Sequence, residues 1–473
     1  MSWTFAITEA VLVAGLSVLG LLSLHLTALT LARLILPRKH WDAATPPDSE
    51  LPDVLVQVPL YNEGDLVERV LQGITALDWP RQRMRIQVLD DSTDGSLAAS
   101  AKAVERLTAE GWAIELRHRQ QRTAFKAGAL AAGLVASKER YVAIFDADFL
   151  PPPEFLRRTL GVLIANPELG HVQTRWLHAN RSCSLLTRAQ ARLLDGHFRV
   201  EQEARHRLGL PVPFNGTCGV WRRSAIDTAG GWQGDTLTED LDLSLRARLR
   251  GWGSAYLEDV GVPGILPTSP RAWRLQQFRW TKGFAECLIK LLPMIWRNRQ
   301  LPLWHKAMVT LQLSQPTVFL VGCVSILAGL PFIAGAAVPG PVLSTLALLM
   351  ACGGMLGPIS LLAVAARGIG TVPDVAKEIT TALLLSSGLM LSNARAVLEA
   401  IVGHRSEFLR TPKQPQSGKQ VAGSPHLYGI PELSVGSALL VFTLAEEPIA
   451  VLPLALAISG LVGFGLLQAI EAR

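Results

Sequence analysis

The chain has 473 residues, of which 45 are Lys or Arg and 39 are Asp or Glu, so its formal net charge is +6. Charged residues make up 18% of the sequence and apolar residues 49%, whereas soluble domains average about 25% charged residues. The apolar residues are concentrated at the two ends of the chain, which excludes an ordinary soluble enzyme with a large core and favours a membrane protein.

The first apolar segment runs from Ile7 to Thr30 with Glu9 as its only charge, and a basic cluster follows at residues 33–39. A bilayer core about 30 Å thick needs roughly 20 apolar residues in a helix. We therefore predict a transmembrane helix within residues 1–40. A signal peptide would carry its basic residues before the apolar stretch. The basic cluster after it predicts that this end is cytoplasmic.

Residues 51–265 have the composition of a soluble α/β domain, in which short apolar runs alternate with amphipathic helical patterns. Strands are predicted at Val54–Val58, Ile86–Leu89, Ile114–Arg117 and Tyr141–Phe145, with helices at Asp65–Ala76 and Leu97–Ala109. This βαβ series predicts a doubly wound, mostly parallel sheet. Such sheets bind their ligands at the carboxyl ends of the strands.

Acidic residues follow two of these strands: Asp90 and Asp91 end one, and Asp146 and Asp148 end another. Carboxylates at several strand ends suggest Mg²⁺ or Mn²⁺ bridging the protein to a diphosphate. An isolated Asp-X-Asp is more often a solvated turn, but this one follows a buried strand. The sequence contains neither the Gly-X-Gly-X-X-Gly of a dinucleotide-binding fold nor a nucleoside triphosphatase loop.

Two further motifs each allow two interpretations. Glu239 and Asp240 begin a helical pattern, either as acidic first-turn residues that the helix dipole favours or with Asp240 as a general base. Gln276, Arg279 and Trp280 share one helical face. They suit a site that holds a diphosphate and stacks on a sugar, or an aromatic and basic belt at the membrane surface.

The C-terminal part is predicted to return to the membrane. The expected segments are interfacial helices in 266–306, two transmembrane helices in 307–367, an interfacial amphipathic helix in 374–404, a loop in 405–430 and two transmembrane helices in 431–473. The 374–404 stretch has basic residues on both flanks, which favours an interfacial helix because both flanks would then be cytoplasmic. An ordinary spanning helix is the alternative. The five cysteines show neither metal spacing nor a disulfide framework.

Together these motifs resemble the processive family 2 glycosyltransferases of the cellulose synthase superfamily. Within it they look most like the plant cellulose synthase-like A and C proteins, which make mannan and glucan backbones. The resemblance implies a GT-A type catalytic domain fused to a transmembrane region. The runs that carry it are Val56–Glu63, Ile86–Asp94, Phe145–Phe149, Phe214–Arg222, Glu239–Leu243 and Gln276–Trp280. Phe214-Asn215-Gly216-Thr217 departs from the cellulose synthase acceptor motif, so cellulose is not the expected product.

The resemblance also implies roles for individual residues. Donor-binding residues would be Asp90, Asp91, Lys126, Asp146 and Glu239. Asp146 and Asp148 would bind Mg²⁺ or Mn²⁺, and Asp240 would be the catalytic base. Gln276, Arg279 and Trp280 would hold the leaving diphosphate and the acceptor sugar. Phe408, Arg410, Thr411 and Lys413 would belong to a gating loop that closes over the nucleotide.

The expected function is transfer of a hexose from UDP-glucose, GDP-mannose or GDP-glucose to the non-reducing end of a growing β-linked polysaccharide, with inversion, processivity and secretion. One alternative is a non-processive enzyme that glucosylates diacylglycerol or ceramide, and another is a transporter or scaffold with a degenerate transferase domain. We expect a multi-pass protein of the bacterial inner membrane in contact with lipid, with a cytoplasmic catalytic domain. No nucleic-acid partner is expected, and the sequence does not identify partner subunits.

Overall fold

The computed structural model describes residues 3–41, 46–405, 429–447 and 451–471. A seven-stranded sheet forms the centre of the soluble domain, in the order β3-β2-β1-β4-β6-β5-β7. The strands are β1 (Val54–Leu60), β2 (Met84–Asp90), β3 (Ile114–His118), β4 (Tyr141–Ile144), β5 (Leu169–His178), β6 (Gly219–Arg222) and β7 (Gly253–Gly264). The four predicted strands correspond to β1–β4.

The sheet is mixed but mostly parallel. β1 pairs in parallel with both β2 and β4, and β2 pairs in parallel with β3. The short strand β6 runs antiparallel to its neighbours β4 and β5, and β5 is parallel to β7. Val56 faces Ile86 in this register. The parallel part therefore confirms the predicted α/β class, and its strand ends β1, β2 and β4 meet at one edge.

Helices cover both faces of the sheet and continue into the apolar C-terminal part. The first group is α1 (Trp3–Ile35), α2 (Gly64–Thr75), α3 (Ser96–Ala109), α4 (Phe125–Val135), α5 (Phe155–Ala165), α6 (Leu185–Asp195), α7 (Glu203–Leu208), α8 (Arg223–Thr228) and α9 (Glu239–Leu249). The second group is α10 (Pro270–Arg297), α11 (Leu303–Ser314), α12 (Val318–Ile333), α13 (Pro341–Gly353), α14 (Leu356–Ala365), α15 (Val372–Gly388), α16 (Met390–Ile401), α17 (Ile430–Glu446) and α18 (Val451–Glu471). A π-helical turn, Gly196–Gln202, joins α6 to α7.

Two hydrophobic cores flank the sheet. Val54, Val56 and Val58 of β1 face one core, and Leu55 faces the other. All seven residues of β1 are buried. Central parallel strands lack a polar face for this reason, since helices exclude water from both sides.

Four helical segments of the described chain are long and apolar enough to cross a membrane: Trp3–Ile35, Leu303–Ile333, Pro341–Ala365 and Leu454–Glu471. They lie at the positions of four of the five predicted crossings, which stay predictions as crossings. The fifth predicted crossing lies in α17, whose 17 residues are short for a span of about 20. That crossing stays a prediction.

The stretch predicted to be interfacial forms two helices, α15 and α16, which meet at an angle of 50°. Both are attached to the soluble domain by ion pairs. Glu378 of α15 contacts Arg192 of α6 at 2.6 Å, and Glu399 of α16 contacts Lys282 of α10 at 3.1 Å. The two helices therefore pack against the domain that carries the strand-end carboxylates, and their position relative to a bilayer stays a prediction.

Candidate active site

A cavity of about 460 Å³ opens at the carboxyl ends of β1, β2 and β4. Most of the predicted site residues line it together. They are Asp91, Lys126, Asp146, Asp148, Glu239, Asp240, Gln276, Arg279 and Trp280. These residues come from positions up to 189 apart in sequence, so the fold brings the separate motifs into one site, as the sequence predicted.

The segment after β4 is held in place by the Phe214–Thr217 loop. The Thr217 hydroxyl accepts a hydrogen bond from the Asp146 backbone N–H at 2.8 Å, and Thr217 is fully buried. The Asp146 side chain is held by Lys126, whose Nζ lies 2.6 Å from Asp146 Oδ1 and donates to the Gly216 carbonyl at 2.9 Å. The Asp146 carboxylate is thereby presented to the cavity in one orientation.

Lys126 stays cationic inside this acidic cluster. Burial by itself would lower the pKa of Lys126, but the negative charges of Asp146, Glu239 and Asp240 raise it above the ordinary lysine value. The site therefore contains a fixed positive charge beside the carboxylate that the sequence assigns to donor and metal binding. A cation at this position favours a bound phosphate oxygen.

Asp240 lies in the first turn of α9, where its Oδ1 accepts the Leu241 backbone N–H at 2.9 Å. Burial, followed by the negative charge of Glu239, raises the pKa of Asp240 to about 7. Burial also raises the pKa of Glu239 above its usual range. A carboxyl group with a pKa near 7 is a better proton acceptor than an ordinary aspartate, which suits a general base.

Gly216 allows the loop to approach Asp240 closely. Its φ is +81°, and a Cβ atom at this position would lie 3.1 Å from Asp240 Oδ2 and 3.4 Å from Lys126 Nζ. Glycine is favoured at positive φ and where the backbone approaches another group closely. The loop, Asp240 and Lys126 therefore form one packed unit.

The motif Gln276, Arg279 and Trp280 is carried by α10. This helix begins with Pro270 at its first position, preceded by Ser269 as N-cap. All three motif residues line the cavity. This placement favours the binding interpretation of the motif over the membrane-belt one. Burial lowers the pKa of Arg279 to about 10, so its guanidinium is still protonated at neutral pH.

The α10 helix packs directly against the segment that leads to Asp240. A Cβ atom on Gly283 would lie 2.5 Å from Thr238 Cγ2, so only glycine permits this contact. Glu286, one turn further along, accepts the Leu237 backbone N–H at 2.7 Å. The distance between the Arg279 motif and Asp240 is therefore set by direct contact between two elements.

Asp90 and Asp91 occupy different environments. Asp91 lines the cavity, and its Oδ1 accepts a hydrogen bond from Arg119 Nε at 2.9 Å. Asp90 is fully buried and is absent from the cavity lining; its carboxylate accepts hydrogen bonds from the Ser92 backbone N–H and the Ser100 hydroxyl. Asp90 therefore shapes the loop after β2, and the donor-binding role predicted for both residues stays a prediction.

Three residues of this site were missed by the sequence reasoning: Arg119, Arg122 and Thr217. The guanidinium of Arg122 stacks 3.4 Å from the centroid of the Tyr61 ring, and both residues line the cavity. A signal was available, because several basic residues follow β3 at the same sheet edge as the acidic strand ends. Thr217 lies in the Phe214–Thr217 motif, but the sequence gave no signal for its contact with Asp146, because that contact is a hydrogen bond from a backbone N–H after β4.

The carboxylates at the cavity wall fit a divalent cation that also binds a substrate. Among the described residues, no group of three or more His, Cys, Asp or Glu side chains is placed to hold a metal ion. Asp146 and Asp148 offer two carboxylates at the cavity wall. Mg²⁺ and ions of similar preference are commonly held by one or two carboxylates together with substrate phosphates. The pair therefore fits Mg²⁺ or Mn²⁺ bound jointly with a diphosphate.

The predicted gating residues Phe408, Arg410, Thr411 and Lys413 lie outside the described residues. The chain just before them is attached to the site helix. Lys282 of α10 is fully buried, contacts Glu399 and donates to the His404 carbonyl at 2.6 Å.

Comparison with known proteins identifies the domain. Residues 52–283 match the family described as glycosyltransferase like family 2. Glucomannan 4-beta-mannosyltransferase 1 of Oryza sativa subsp. japonica is 44% identical over 266 residues, which cover 54% of this chain and 50% of that protein. Glucomannan 4-beta-mannosyltransferase 2 of Arabidopsis thaliana is 44% identical over 265 residues, covering 55% of this chain and 50% of that protein.

Among solved structures, mannosyltransferase PcManGT from Pyrobaculum calidifontis in complex with GDP-Man and Mn²⁺ superposes with a TM-score of 0.55 at 23% identity, covering 77% of this chain and 98% of that one. This likeness shows the shared fold. The chain spans about half the length of the curated relatives it matches. The predicted resemblance is confirmed: residues 52–283 match the family 2 glycosyltransferase model, and the chain is similar over about half its length to glucomannan 4-beta-mannosyltransferases.

Proposed function

We propose that this protein is a membrane-embedded inverting glycosyltransferase that transfers a hexose from a nucleotide sugar to the non-reducing end of a β-linked polysaccharide of mannan or glucan type. The observation that carries the proposal is the single cavity in which Asp146, Asp148, Asp240, Arg279 and Trp280 meet. A base, a carboxylate pair, a cation and an aromatic surface are what a sugar transfer between two bound substrates requires.

The reaction follows from these positions. Asp240 accepts the proton of the acceptor hydroxyl, and the oxygen attacks the anomeric carbon of the donor. The bond from that carbon to the phosphate oxygen breaks, and the nucleoside diphosphate leaves with the electron pair. Lys126 and Arg279 are placed to stabilise the negative charge that develops on it. A single displacement inverts the anomeric configuration, so an α-linked donor yields a β-linkage.

Asp146 and Asp148 would hold Mg²⁺ or Mn²⁺, which supplies positive charge to the diphosphate. Trp280 offers an aromatic face on which the terminal sugar of the acceptor can stack. Gln276, which is 8% exposed, contributes an amide beside it. These residues position the acceptor hydroxyl near Asp240.

GDP-mannose is the donor that we propose first, ahead of GDP-glucose and UDP-glucose. The relatives at 44% identity are named glucomannan 4-beta-mannosyltransferases. The loop Phe214–Thr217 departs from the cellulose synthase motif, which agrees with a mannan-type product. The fold neighbour PcManGT was solved with GDP-Man and Mn²⁺.

We propose further that synthesis is processive and coupled to secretion from a cytoplasmic catalytic domain. The cavity extends beyond the carboxylates to an apolar wall that includes Trp176, Phe198 and Trp273, and it reaches Ser386 on α15. A cavity that runs from the strand ends to a helix of the apolar C-terminal part offers room for more than one sugar of an acceptor. The four membrane-length helices support an integral membrane location.

The test is an assay of the purified, detergent-solubilised protein with GDP-mannose, GDP-glucose and UDP-glucose, each with Mg²⁺ or Mn²⁺, followed by linkage analysis. An alkali-insoluble β-linked polymer supports the proposal. A product that partitions into organic solvent as a glycolipid would contradict it in favour of the glycolipid alternative. Absence of any transfer or hydrolysis with every donor would favour a degenerate domain.

Variants test whether the residues of the cavity are responsible for the transfer activity. Asp240→Asn should abolish transfer because an amide cannot accept the proton, and Asp148→Ala should abolish it at every Mn²⁺ concentration. Asp65→Asn, an exposed position on α2, is the matched control and should retain full activity. Activity in Asp240→Asn comparable to that of Asp65→Asn would remove Asp240 as the base.

A further inference from the structure

A second cavity of about 170 Å³ lies between the end of α1, the end of α14 and the π-helical turn after α6. We call it the arginine pocket. It is lined by Arg33, Leu34, Arg199, Arg207, Val364 and Arg367. The arginine pocket shares no lining residue with the active-site cavity. It is therefore a separate feature that the proposed reaction does not use.

Positive charge in the arginine pocket exceeds the negative charge around it. Arg33 pairs with Glu258 at 3.1 Å, and Arg207 pairs with Glu203 at 2.8 Å. Within the described part of the chain, Arg199 and Arg367 form no ion pair. The negative charges of Asp195 and Glu258 act on Arg199 without forming an ion pair with it, so both guanidinium groups can take a further anion as a direct partner.

Arg199 is held rigidly by the end of α14. Its Nη1 donates to the Ala365 carbonyl and its Nη2 to the Arg367 carbonyl, the second at 3.0 Å. Its Nε is buried and has no hydrogen-bond partner among the described residues. Burial lowers the pKa of Arg199, since the surroundings disfavour its charge. A bound anion would supply the missing acceptor and a negative charge in direct contact with the guanidinium.

The position of the arginine pocket indicates where such an anion would come from. Arg33 lies in the last turn of α1, a helix of 33 residues that is long enough to span a bilayer. Arg367 lies two residues after the third membrane-length segment, Pro341–Ala365. The arginine pocket therefore lies where two candidate spans end on the same side, and a bilayer crossed by both would place it beside the lipid headgroups. Basic pockets between transmembrane helices on the cytoplasmic side recognise anionic headgroups.

We propose that the arginine pocket binds the phosphate group of an anionic phospholipid headgroup. Arg199 and Arg367 provide the charge, and charge-assisted hydrogen bonds from guanidinium groups to phosphate oxygens provide the geometry. The bound lipid would join the end of α1 to the end of α14 beside the catalytic domain. The proposal uses the membrane location of these helices and is independent of the reaction that the active site performs.

The test is native mass spectrometry of the purified full-length protein, delipidated in detergent and titrated with phosphatidylglycerol or phosphatidylcholine. We expect one phosphatidylglycerol to bind at least about tenfold more tightly than phosphatidylcholine, whose headgroup has no net charge. The double variant Arg199→Gln, Arg367→Gln should lose at least about tenfold in phosphatidylglycerol affinity, because charged hydrogen bonds are removed. Arg299→Gln, at an exposed position near the end of α10, is the control and should bind as the wild type does.

Arg199 also caps the end of α14, so its variant can lose stability for a structural reason. Arg367→Gln alone, at an exposed side chain, keeps the backbone carbonyl that Arg199 uses, and it should still weaken phosphatidylglycerol binding. Equal affinity for the two lipids, or unchanged affinity in Arg367→Gln and in the double variant, would overturn the proposal. Full displacement of the lipid by millimolar inorganic phosphate would assign the arginine pocket to a soluble anion and overturn the lipid assignment. Glycosyl transfer measured on the same samples reports on the active site separately.

Discussion

Replacement of Thr217 by valine tests whether the loop that carries it positions the segment that we propose to bind the metal. The Thr217 hydroxyl is fully buried and accepts the Asp146 backbone N–H at 2.8 Å. Valine has nearly the same shape but offers no acceptor. The variant therefore leaves the Asp146 N–H buried without this partner, next to the carboxylate proposed to bind Mg²⁺ or Mn²⁺.

The expected size follows from the hydrogen bond. Leaving a buried donor unsatisfied costs about 1–3 kcal/mol. If this cost lowers the free energy of unfolding, the melting temperature should fall by about 2–4 °C per kcal/mol, as in domains of 150–250 residues. If the protein instead stays folded and the Asp146 carboxylate becomes less well positioned, the same free energy corresponds to a loss of about 5- to 150-fold in metal affinity.

The assay is therefore a pair of measurements on the same preparations: thermal unfolding in detergent with and without Mn²⁺, and the Mn²⁺ concentration for half-maximal glycosyl transfer. Thr217→Val should raise that concentration and reduce the stabilisation that Mn²⁺ gives. Thr217→Ser is the matched control, since it keeps the hydroxyl and should stay close to the wild type in both measurements.

One result would refute the reasoning. If Thr217→Val and Thr217→Ser showed the same small loss of stability and the same Mn²⁺ dependence as each other, the hydroxyl would not be the important feature of this residue. The loop would then have no part in positioning Asp146.

Three further predictions concern the proposed base Asp240, the loop beside it and the buried Lys282. Asp240 accepts a proton only when ionised, and burial followed by the negative charge of Glu239 raises its pKa to about 7. We therefore expect kcat/KM to rise with pH up to about 7 and to level off above it. A flat profile of kcat/KM between pH 5 and 7 would exclude Asp240 as the base. Gly216→Ala should lower the free energy of unfolding by about 1–2 kcal/mol because residue 216 has a positive φ. Its transfer rate should fall about tenfold or more because the new Cβ displaces the Asp240 carboxylate. An unchanged rate would show that the loop does not position Asp240. Lys282→Met should lower the free energy of unfolding by about 1–3 kcal/mol, because it removes the buried ammonium that contacts Glu399 and the His404 carbonyl. Thermal unfolding measures the loss, and a variant as stable as the wild type would contradict this.

Much of the candidate site could be predicted from the sequence because its polar and aromatic residues occur in short local motifs. Asp146 and Asp148 follow an apolar run, and Gln276, Arg279 and Trp280 recur at helical spacing, so residue type and position were sufficient to select them. Asp90 shows the limit of that reasoning. It has the same kind of position as Asp91, yet its carboxylate turns inward to Ser92 and Ser100.

The sequence alone determined the α/β class, the parallel strands β1–β4, the first membrane-length helix and nine of the polar or aromatic residues that line the cavity, because apolar periodicity and strand-end carboxylates are local properties of the chain. Only the tertiary structure decided that β6 runs antiparallel between β4 and β5 and that the 375–402 stretch bends by 50° and packs on the soluble domain. It also decided that Thr217 supports Asp146 and that four arginines far apart in sequence share one pocket. These features depend on contacts between distant segments, whose free energy appears only when the chain has packed and the buried polar groups have found their partners.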